Sequence, residues 1–175
     1  MLFRSIRNAL IEVAAIRISY QTVTESDAHE ILDLSQRILP FLTEENDIHL
    51  FNPLFALRPV FHFNRGLAYQ DLGRLNDAVD AFQDAITTGK ALGNVHIVAP
   101  ALGHLAEVEI IQGRMHQAAK TCQQGIALVE AMAKNASPLV GLLHVRLGHL
   151  FYEWNELEKA EHHLRKGIEI GRAHV

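Results

Sequence analysis

Eleven histidines among 175 residues make metal binding the first chemistry to test. His29-Glu30-Ile31-Leu32-Asp33 begins like the two-histidine helix of zinc proteases. Its fifth position is Asp33 where a second histidine is needed, so the motif fails. His149 and Glu153 stand four apart and share a helix face, yet two groups fall short of the three protein ligands of a catalytic zinc. His162 and His163 are sequential, point to different parts of a helix surface, and read as solvated. No metal and no cofactor is expected.

Nucleophilic and acid–base chemistry fare no better. The single cysteine, Cys122, excludes an intrachain disulfide and reads as a small apolar core residue. No Ser-His-Asp or Cys-His arrangement can be assembled. The carboxylate pairs Glu107/Glu109 and Glu156/Glu158 are two apart and do not face each other on a helix; they read as solvated charges. Thr88-Gly89-Lys90-Ala91 lacks the leading glycine and the hydroxyl of a phosphate loop. The chain is expected to carry no enzyme activity.

Composition narrows the class further. Hydrophobic residues make up 49% and charged residues 21%, which is ordinary for a globular protein. Every apolar stretch is interrupted before the roughly 18 residues a membrane span requires. The start, Met1 to Arg7, has no apolar run or cleavage pattern behind it, so a cytoplasmic protein is the default. A net charge of −4 with no Lys/Arg cluster argues against direct nucleic-acid binding.

What must position any functional group is a repeat. A small residue (Gly66, Ala106, Gly148) precedes an alanine (Ala78, Ala118, Ala160) by twelve positions; a bulkier residue (Phe82, Cys122, Leu164) follows by four, and another small one (Ala85, Gly125, Gly167) by seven. These offsets put alanine, bulky and small residue on one helix face. Gly73-Arg74, Gly113-Arg114 and Asn155-Glu156 make the turn between two helices, because Gly and Asn tolerate left-handed backbone. Ala28, Leu32 and Ser35 form a weaker fourth copy ended by Pro40, with Thr24 as N-cap and a first helix from about Arg4 to Tyr20. An irregular stretch separates Thr43 from Arg58. Pro59, Pro100 and Pro138 each fall near the start of a first helix, Ser137 capping the last. The expected fold is all-α: one domain over 1–175 with helix pairs at about 4–42, 58–92, 95–133 and 138–171. Ala78, Ala118, Ala160, Phe82, Leu164, Gly66 and Gly148 should be buried.

The first complete unit resembles the tetratricopeptide consensus at Asn64, Gly66, Ala68, Tyr69, Leu72, Gly73, Ala78, Phe82 and Ala85. It departs at His62 and Arg65, where the consensus has Trp and Leu. Ile11 to Arg17, Asn64 to Gly73, Leu102 to Gly113 and His144 to Ala160, above all Tyr152-Glu153-Trp154-Asn155-Glu156-Leu157, resemble the superhelical domain of MalT-like, LuxR-family ATP-dependent transcriptional regulators. The resemblance implies a right-handed tetratricopeptide-like superhelix excised from a larger regulator, which receives an effector and controls self-association. The alternative is a free-standing scaffold that docks a peptide or partner protein.

The same resemblance implies that first helices line the binding groove. Projecting it gives Val60, Phe63, Leu67, Gln70 and Asp71, then Gly103, Glu107, Ile110 and Ile111, then Leu142, Val145, His149, Tyr152 and Glu153. Phe63, Gln70, Glu107, His149, Tyr152 and Glu153 combine aromatic anchors with orienting polar groups and are the candidates for contact with a protein, peptide or small-molecule effector. Repeat arrays need polar caps, and no capping helix follows the third unit. An apolar end face that invites a homo-oligomer is therefore expected.

Overall fold

The computed structural model describes residues 25–42, 57–132 and 138–172. The helix expected from about Arg4 to Tyr20, the expected cap Thr24, the irregular stretch expected from Thr43 and the expected cap Ser137 lie outside them. Seven α-helices and one 3-10 turn occupy the described residues, and no strand occurs among them. They are α1 (Glu25–Ile38), followed by a 3-10 turn (Leu39–Phe41), then α2 (Arg58–Asp71), α3 (Leu75–Ala91), α4 (Val95–Ile111), α5 (Met115–Met132), α6 (Pro138–Glu153) and α7 (Leu157–Arg172). The chain divides into two compact units, Met1–Thr88 and Gly89–Val175.

The three hairpin turns are built alike. Gly73, Gly113 and Asn155 have φ of +70°, +75° and +59°. That left-handed residue lets the next amide bond back five residues, Arg74 to Tyr69, Arg114 to Glu109 and Glu156 to Phe151, each at 2.8 Å. The exposed carbonyls at the end of each first helix are thereby satisfied. The residue after the turn then starts the second helix: Ala78, Ala118 and Ala160 donate to the carbonyls of Arg74, Arg114 and Glu156 at 3.0 Å. In the first unit the Arg74 guanidinium also lies 4.6 Å from the Tyr69 ring centre and its Nε donates to Asp77 at 2.8 Å.

Close helix approach explains the small residues. A Cβ on Gly66 would lie no more than 2.9 Å from three atoms of the Phe82 ring, and one on Gly148 would meet Leu164 at 2.7 Å. Gly–Phe, Ala–Cys and Gly–Leu thus occupy equivalent positions, size on one helix trading against size on the other. Ala78, Ala118, Ala160, Phe82 and Cys122 are buried, as are Gly66 and Gly148. Leu164 departs from expectation: it is only half-buried, because its far side looks onto the open face of α7. Ala118→Leu should overpack the α4–α5 contact and lower stability by ~1–3 kcal/mol in urea denaturation.

In the first unit, α1 packs on α2 through Ala28, Ile31, Leu42, Phe61 and Ala68. Pro40 sits in the turn that ends α1. Pro59 and Pro138 stand in the first turns of α2 and α6, where a missing N–H costs nothing. Pro100 lies deeper, within α4, and its missing N–H leaves the carbonyl of His96 without the usual partner. Helix α4 tolerates this because it is held on two sides, by α5 and by α6. That double burial is also why its apolar residues run nearly all the way round.

Candidate functional site

Helices α4 and α6 present adjoining surfaces in the second unit. Gly103 of α4 is buried, and a Cβ there would meet Leu142 at 3.4 Å and the Arg146 Nε at 3.9 Å. One turn on, Glu107 accepts a hydrogen bond from Arg146 Nη2 at 2.9 Å and lies 3.4 Å from His104 Nδ1. Arg146 and Glu107 are largely shielded, their side chains 20% and 35% exposed, so the pair is held more firmly than a surface ion pair. Leu142, His149 and Glu153 are exposed. Leu142, Arg146, His149 and Glu153 follow offsets of four, three and four, one stripe along α6.

The six sequence candidates do not converge on one place. Glu107, His149 and Glu153 belong to the α4–α6 surface. Tyr152, 63% exposed, turns toward α7 and lines an open depression of about 560 Å³ with Leu157, Leu164 and Ile168. Phe63 and Gln70 belong to α2 in the first unit and are half-buried; the Phe63 ring packs on Phe82 at 5.9 Å, a core contact. Arg146 escaped the sequence reading, although a lone cation four after Leu142 on an apolar helix was a legible signal.

Two carboxylate and histidine readings change. Glu109 is 4% exposed, not solvated: its Oε2 accepts from the Thr121 hydroxyl at 2.8 Å, and burial pushes its carboxyl above the usual range. His162 is exposed, but His163 turns inward. It stacks between His144 and Phe151, with ring centres at 5.1 and 5.5 Å, and its Nδ1 lies 2.8 Å from Nδ1 of His144. One of these two nitrogens carries the shared proton and the other accepts it. Burial lowers His144 to about 4, helped by the Lys166, His163 and His162 charges, and lowers His163 as well.

The remaining reactive groups are quiet. Burial pushes the Cys122 thiol up to about 12, so it is an unreactive core group. Thr88-Gly89-Lys90-Ala91 is the last turn of α3, with the Thr88 hydroxyl donating to the Asp84 carbonyl at 2.7 Å; helical backbone there cannot wrap a phosphate. Among the described residues no three His, Cys, Asp or Glu side chains gather as a metal site, and no helix is long and apolar enough to cross a membrane.

A family model for the MalT-like TPR region matches residues 11–175. No curated protein matches the chain. Among solved structures, BtubC (BKLC) from P. vanneervenii superposes with a TM-score of 0.72 at 16% identity, over 95% of this chain. The chain spans 64% of that protein's length. A protein from Podosopora anserina with nearly identical TPR-like repeats aligns over 95% of this chain and 93% of its own, at 12% identity. Its TM-score of 0.35 is too low to bear on the fold.

Proposed function

Since this chain belongs to the MalT-like TPR family, we propose that it is the effector-sensing, protein-interaction and self-association module of a larger transcriptional regulator. The observation that carries the sensing part is the α4–α6 surface. Arg146 is fixed by Glu107 beside exposed Leu142, His149 and Glu153. A guanidinium–carboxylate pair held in place beside apolar and hydrogen-bonding neighbours suits a peptide or small effector with its own polar groups.

The full reading frame around this segment tests the regulator reading. It should encode a nucleotide-binding module before the segment and a helix-turn-helix after it; a frame without either makes the chain a free-standing scaffold. The surface itself is tested by Arg146→Ala in the 175-residue chain. Titration with effector or partner should show association weakened by ~10-fold or more with unchanged helical dichroism. Unchanged affinity in Arg146→Ala, His149→Ala and Glu153→Ala alike removes this surface from the function.

A further inference from the structure

We draw no further inference here: the strongest candidate, the His144–His163 pair in the seam between α6 and α7, already shares a proton between ring nitrogens 2.8 Å apart, and the burial and Lys166 charge around it oppose a metal ion as they oppose a second proton.

Discussion

Gly66→Val should lower stability by about 3 kcal/mol or more in urea denaturation at neutral pH. The first added carbon would sit no more than 2.9 Å from three atoms of the Phe82 ring. Phe82 is fully buried, so the ring has no empty space to turn into, and α2 and α3 must separate instead. Helix propensity works the other way at this site: alanine is favoured over glycine by ~1 kcal/mol in a helix interior. Gly66→Ala is accordingly a sharp test, since propensity alone predicts a gain and close approach predicts a loss. The loss should win. Gly66→Ala/Phe82→Leu should then be less destabilised than the two single changes added, with a coupling of ~1–2 kcal/mol. The third unit already uses leucine opposite glycine, and the second uses alanine with cysteine. A Gly66→Ala variant more stable than the parent would dispose of the close-packing account.

The second large effect is on acid stability. His62 is 6% exposed and His144 2% exposed. Burial lowers each from 6.5 to about 4, against the pull of Asp84 in the case of His62. Above pH 6.5 both rings are neutral folded or unfolded, and titration changes nothing. Between 6.5 and about 4 the unfolded chain takes up these protons and the folded chain refuses them, so stability falls as pH falls. Each proton contributes about 1.4 kcal/mol per pH unit across that window, and below the folded value the loss levels off. His163 shares the direction. Around the His144–His163 pair stand Lys166 and His162, both of which resist protonation further. Urea denaturation at pH 7, 5.5 and 4.5 should show the decline, and His144→Phe should flatten it in the second unit while keeping a ring stacked on His163. An equal slope in parent and variant would mean that His144 contributes nothing to acid unfolding.

Much of the fold was legible because a repeat states its packing three times. The spacing of Gly66, Ala78 and Phe82 and its two echoes required helices in contact, and Gly73, Gly113 and Asn155 required left-handed turns between them. The wording of the units also identified the family. What the sequence could not decide is which of two faces on one helix meets a neighbour. Glu109 and His163 carry ordinary charged-residue patterns, yet Thr121 twelve residues away makes Glu109 an interior group, and His144 nineteen residues away draws His163 into a half-buried stack. Arg146 and Glu107 are separated by thirty-nine residues, so only helix-on-helix packing brings them together. Tyr152 and Glu153 are adjacent in the chain, but one peptide step turns about 100° on a helix. That rotation sends Tyr152 to the open depression beside α7 and leaves Glu153 on the α4–α6 surface. Periodicity determines the angle between two side chains on one helix; the neighbour each angle finds is settled by tertiary packing.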